Sequence, residues 1–153
     1  MGYGYGSESG KFYQKQVSEV ERLLERFVKQ TSQIDIEKYL KICEQLGQEP
    51  DPEKMPLETS AFPYEVQVAF FIYSLLPDIW DTNSGFYLGK NWSECPYLFE
   101  LYSVDSPREV LYFAKTYERM LIAVRAEELE RKQKAEERKA SAGGKNFTHN
   151  VKG

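Results

Sequence analysis

A chain of 153 residues, 41% hydrophobic and 29% charged, has the size and balance of a single folded domain with a core of useful size. Twenty Lys and Arg against 24 Asp and Glu leave a formal charge of −4, which argues against a generic nucleic-acid binder. Eleven Tyr and nine Phe place much of the packing or binding energy in large aromatic side chains.

Residues 1–10 are Gly, Tyr and Ser with one charge, Glu8, and without an apolar period they read as a flexible arm that orders on a partner. The start, Met-Gly-Tyr-Gly-Tyr-Gly, has neither the basic residues nor the apolar run of a signal peptide. A myristoylation site would need Ser or Thr where Gly6 stands. From about Lys11 to Gln30, Tyr13, Val17, Val20, Leu24 and Phe27 recur in steps of four and three, one helical stripe that Leu23 and Val28 widen. Asp35 is placed to cap a second helix with Ile36, Tyr39, Leu40, Cys43 and Leu46 on one face, and Gly47 follows as its stop. Cys43 and Cys95 both fall in predicted helices and are not spaced as a pair, so they read as buried free thiols in a reducing compartment.

Residues 48–59, with Pro50, Pro52 and Pro56, form an extended acidic connector. The segment between Pro63 and Pro77 is apolar around its whole circumference (Val66, Val68, Ala69, Phe70, Phe71, Ile72, Tyr73, Leu75 and Leu76). A helix without a polar face is expected to be buried on all sides, and this one is too short for a bilayer, so the rest of the chain should wrap it. Asp81-Thr82-Asn83-Ser84-Gly85 is a turn cluster, and Phe86 to Trp92 is expected to supply two or three extended residues but no partner strand for a sheet. Ser93 is placed to cap a short helix carrying Tyr97, Leu98, Leu101 and Tyr102, with Pro96 in its first turn.

Ser106-Pro107-Arg108-Glu109 has the form of a capping box. Val110, Ala114, Tyr117, Leu121 and Val124 then run down one face of a last helix. Beyond Arg125 charge takes over, with Glu127/Arg131, Glu128/Lys132 and Glu130/Lys134 each four apart. The second half of this helix should project, and Gly143-Gly144 should end it. The predicted fold is all-α: about five helices around a buried central one, with an arm over 1–10, a helical domain over 11–125, a projecting charged helix over 126–142 and a basic tail over 143–153.

Chemical motifs fail at their required positions. Asp81-x-Asn83-x-Gly85 lacks the remaining calcium-loop ligands, and Trp92 stands where the loop needs Glu. Gly85 to Asn91 is one residue short of a phosphate loop and has Asn91 in place of Ser or Thr. His149 is the sole histidine and lies in the tail, so no catalytic residue, metal site or cofactor site is assigned. A carboxylate beside tryptophan, as Asp78 and Asp81 are beside Trp80, can carry a raised pKa, but both positions suit ordinary turn chemistry. The candidate partner-binding residues are Trp80, Phe86, Tyr87, Trp92, Tyr97 and Tyr102, which with Phe99 either close the core or line a groove for another protein.

Several stretches resemble small helical accessory proteins from the tail-assembly region of tailed bacteriophages. They are Phe62-Pro63-Tyr64-Glu65-Val66-Gln67, Trp80 after Leu76-Pro77, Gly89-Lys90-Asn91-Trp92-Ser93, and Glu136-Glu137-Arg138-Lys139 through Gly143-Gly144-Lys145-Asn146. The resemblance spans about residues 40–153 and implies a non-enzymatic, cofactor-free assembly chaperone of the host cytoplasm. Such a factor keeps the tape-measure protein soluble until the tail tube polymerises. Two alternatives stand beside it: a structural subunit that stays in the virion, and a small nucleic-acid-associated regulator using Lys145 and Lys152. Homo-oligomerisation is left open, and no membrane partner is expected.

Overall fold

The computed structural model describes the backbone of residues 7–31 and 36–149 and the side chains of 13–30 and 36–143. Among these residues the chain forms α1 (Ser7–Thr31), α2 (Ile36–Leu46), a short 3-10 turn (Thr59–Ala61), α3 (Tyr64–Leu75), β1 (Asp78–Trp80), β2 (Tyr87–Lys90), α4 (Cys95–Leu101) and α5 (Pro107–His149). The fold is mostly all-α, as the periodicities predict.

The α1 stripe faces inward as expected: Leu24, Phe27 and Val28 are buried, and Val17, Val20 and Leu23 pack against the core. The helix begins at Ser7 rather than near Lys11, so part of the expected arm is helical. Asp35, the expected cap of α2, lies outside the described residues. At the far end of α2, Gly47 adopts φ +65°. Gly47 N–H donates to Glu44 O and Gln48 N–H to Cys43 O, closing a Schellman cap. Only Cys43 of the expected α2 face is buried; Leu40 and Leu46 are exposed. Both cysteines are buried free thiols.

The connector is tied to helices on both sides. Arg26 donates to the carbonyls of Glu53 and Met55, the Gln30 side chain accepts from Leu57 N–H, and the Tyr39 hydroxyl accepts from Asp51 N–H. Pro63 sits at the N-cap of α3 and Leu76 at its C-cap, with Pro77 preventing continuation.

Three expectations about this central region require correction. First, α3 is not dry on all sides: Val66, Ala69, Ile72 and Tyr73 are buried, but Tyr64, Phe71 and Leu75 are exposed. With half-buried Val68 they follow the i, i+4, i+7, i+11 spacing of one helix face, which no element covers completely. Second, the element common to most packing is α5, which contacts α3, α1 and β2. Rings run through this interface: Phe27 meets Phe62 and Phe70 at 5.4 and 5.2 Å, Phe70 meets Tyr117 at 5.0 Å, and Tyr117 meets Tyr73 at 5.0 Å. Third, a second strand does exist. β1 and β2 pair antiparallel with Asp78 opposite Lys90 and Ile79 opposite Gly89. The register then shifts so that Trp80 meets Tyr87, which leaves Leu88 as the bulged residue.

The hairpin turn is the expected cluster: Asp81 accepts from Asn83 N–H and the Ser84 hydroxyl, and Gly85 N–H returns to Asp81 O. Ser93 does not cap α4. Its hydroxyl and N–H both bond the Asn91 side chain, and Glu94 is the N-cap. Pro107 opens α5, whose Val110, Ala114 and Leu121 are buried, while residues 131–143 are all exposed. Of the three expected ion pairs Glu127–Arg131 closes, at 3.7 Å. The helix passes through Gly143-Gly144 to His149, because glycine lowers helix propensity by about 1 kcal/mol without removing the backbone donor as proline does.

Candidate partner-binding surface

The aromatic residues between 80 and 102 do not form one cluster. Their chain proximity spans a hairpin and a helix that face different neighbours, so the structure divides them. Tyr87 is buried and Trp92 and Phe86 are partly so, whereas Trp80, Tyr97 and Tyr102 are exposed.

The inward group belongs to a network that fixes the hairpin on α3 and α5. The Glu118 carboxylate on α5 accepts from Lys90 N–H and from Trp92 Nε1–H, both at 2.8 Å and on the same oxygen. Gly89 makes room for it: a Cβ there would lie 2.6 Å from Glu118 Oε2. The Lys90 ammonium sits 2.9 Å from Asp78 and 4.8 Å from the Tyr73 ring centroid. Tyr87 donates to Asp78 at 3.0 Å, and its oxygen lies 2.5 Å from the Tyr73 hydroxyl. A carboxylate can only accept, so the proton order runs from Tyr73 to Tyr87 to Asp78.

Burial acts to raise the Asp78 pKa, yet hydrogen bonds from Lys90 and Tyr87 outweigh it and hold the carboxyl below its ordinary value. Asp81 is likewise lowered, by the Ser84 hydroxyl and then the Asn83 amide. A raised carboxylate beside Trp80 is therefore not found. Burial pushes the Tyr87 phenol up to about 12, against the bond from Tyr73 and with help from Asp78. Burial and the bond to Tyr87 raise Tyr73 as well. Among the described residues no buried side-chain nitrogen or oxygen lacks a partner, so the network is internally satisfied. Arg125 lies 4.3 Å from the Tyr87 ring centroid and 5.5 Å from that of Trp80, so Trp80 is braced on one side although half exposed.

The outward group leads to a different place. Tyr102, at the end of α4, meets Phe71 of α3 edge-on at 5.0 Å. The two rings are 49% and 46% exposed, so neither is sequestered by the other. They border a groove of about 290 Å³ between α3 and the turn from α4 to α5, with Tyr64, Val68 and Val104 among its apolar lining and Glu65 and Asp105 among its polar lining. Ser103 holds the turn in a left-handed conformation at φ +48°. Of the six sequence-predicted residues, Tyr102 alone lines this groove; Tyr97 is exposed on α4 outside the lining.

Sequence reasoning places Phe71 and Val68 in the core, because a helix apolar all round reads as wholly buried, and it assigns Tyr64 no role. The available signal was the very spacing that defines their stripe. Among the described residues no group of three or more His, Cys, Asp or Glu side chains is arranged to hold a metal ion, and no helix is long and apolar enough to cross a membrane. No family model, curated protein or solved structure matches this chain.

Proposed function

We propose that this protein is a non-enzymatic binding factor that takes an apolar helical segment of another protein against the exposed face of α3. The observation that carries the reading is the Phe71–Tyr102 pair, two large rings half in solvent on the border of a preformed groove. Apolar surface of this kind, rimmed by polar groups, is typical of interaction sites, and aromatic anchors dominate their energetics. A helix laid into such a groove would cover the Tyr64, Val68, Phe71 and Leu75 stripe with its own i, i+3, i+4, i+7 positions.

The phage setting comes from the sequence resemblance: there the client is the tape-measure protein and this chain is its assembly chaperone. Co-expression should raise the soluble yield of that client, and Phe71→Ser with Tyr102→Ser should abolish the gain while leaving the helper folded. A client whose solubility and co-purification ignore the wild-type helper would remove the chaperone reading. The exposed outer half of α5 favours a second reading, a structural subunit that uses the helix as a clamp. Mass spectrometry of purified particles separates the two, since a subunit is retained stoichiometrically and a chaperone is absent.

A further inference from the structure

The groove on α3 is continued by another. The second, of about 650 Å³, lies between α1 and the start of α5, with Tyr13, Val20, Leu23 and Phe113 among its apolar lining. The two share Glu65 and Ser106. Among the described residues every charged side chain lining either one is a carboxylate: Glu65 and Asp105 in the first, Glu19, Glu65 and Glu109 in the second. Among the described residues none of these four is held in an ion pair. Three cations of the surrounding elements are engaged elsewhere: Lys115 over Trp92, Arg125 over Tyr87 and Arg26 on the connector carbonyls.

We infer that the joined grooves select a basic amphipathic helix of a protein partner, with its apolar stripe on the aromatic lining and Lys or Arg flanks against Glu19, Glu65, Asp105 and Glu109. This rests on the protein-binding reading above and adds to it a charge specificity. Carboxylates beside low-dielectric apolar walls focus the field and steer a cationic partner. A second copy of this chain is disfavoured, because a twofold contact through this face sets like carboxylates against like.

Two synthetic helical peptides test the inference on the full chain by fluorescence anisotropy. Both carry leucines at i, i+3, i+4 and i+7; one is flanked by Lys and Arg, the other by Glu. The basic peptide should bind at least about tenfold tighter at low salt, and the ratio should collapse at about 0.5 M salt, where the screening length falls to a few Å. Glu65→Lys with Glu109→Lys leaves Glu19 and Asp105 balanced by two lysines and should erase the preference, with an unchanged circular dichroism spectrum. Should that variant misfold, Glu65→Gln should still cut the preference several-fold. Equal affinity for both peptides overturns the charge specificity and leaves the protein-binding reading standing. Binding of neither peptide to the folded protein overturns both. A dimer in sedimentation that the Glu65→Lys change dissolves makes the occupant a second copy, and the inference falls.

Discussion

At Gly89 the backbone turns to φ +101° while the Glu118 carboxylate closes over the position where a side chain would begin. Two separate costs therefore fall on Gly89→Ala: about 1–2 kcal/mol for the left-handed conformation and about 1–3 kcal/mol for the displaced carboxylate. Gly47 is the comparison, since it shares the conformation at φ +65° but has open space around it. Gly47→Ala should cost only about 1 kcal/mol. Urea unfolding of the two variants should show that gap. Tyrosine hydroxyls offer a second contrast. Tyr73→Phe removes one donor and leaves Tyr87 bonded to Asp78, a loss of about 0.5–1.5 kcal/mol; Tyr87→Phe takes the partner from the buried Tyr73 hydroxyl and leaves Asp78 with Lys90 alone, and should cost about 1–3 kcal/mol.

The pH dependence of these residues follows from the directions of their shifts. Asp78 has a lowered folded pKa, so its contribution is present above its ordinary value near 3.8 and is lost as the pH falls through the folded value. Tyr87 is raised, so its contribution is whole below its ordinary value of 10.0 and disappears as the pH rises through about 12. Absorbance at 295 nm should show that Tyr73 and Tyr87 ionise only as the fold opens, and Tyr87→Phe should flatten the alkaline loss of stability.

Among the elements, the hairpin depends on a residue far along the chain. Its three- and four-residue strands are too short to stand alone, and both the Lys90 amide and the Trp92 indole end on Glu118 of α5. Glu118→Ala should cost about 3 kcal/mol through the loss of two charge-assisted bonds, with a red shift of Trp92 fluorescence as its readout. This dependence explains what was legible in the sequence. Helices α1, α3 and α5 announce themselves through spacing and prolines within their own segments. β1 does not, because Asp78-Ile79-Trp80 becomes a strand only where Glu118 and Tyr73 hold its partner. Periodicity likewise identifies α3 but cannot say which part of its circumference lacks a neighbour, so Phe71 and Leu75, expected inside, are exposed. α2 lies at the other extreme, with only Cys43 buried, and its amides should exchange with deuterium faster than those of α3.

For the whole molecule, α5 is both the packing hub and the part that leaves the body. Leu121 is buried and Arg125 braces the hairpin rings, but residues 131–143 are all exposed. A stop after Arg131 should shift the melting temperature by less than about 2 °C. A stop after Met120 also removes Leu121 and Arg125 and should cost at least about 2–5 kcal/mol, measured by urea unfolding. At 43 residues the intact helix is about 65 Å long, so X-ray scattering should give a maximum dimension no smaller than that.

Because one uninterrupted helix joins the interior to its outer end, that end is set at a defined distance and a defined angle. Each residue removed from 131–143 draws it in by about 1.5 Å and rotates it by about 100°. Deleting seven residues shortens the reach by about 10 Å yet restores the bearing to within about 20°, whereas deleting five turns it about 140° away. Whatever grasps the tip would thus tolerate a heptad deletion far better than a smaller one out of phase, and the helix acts as a ruler that also keeps time.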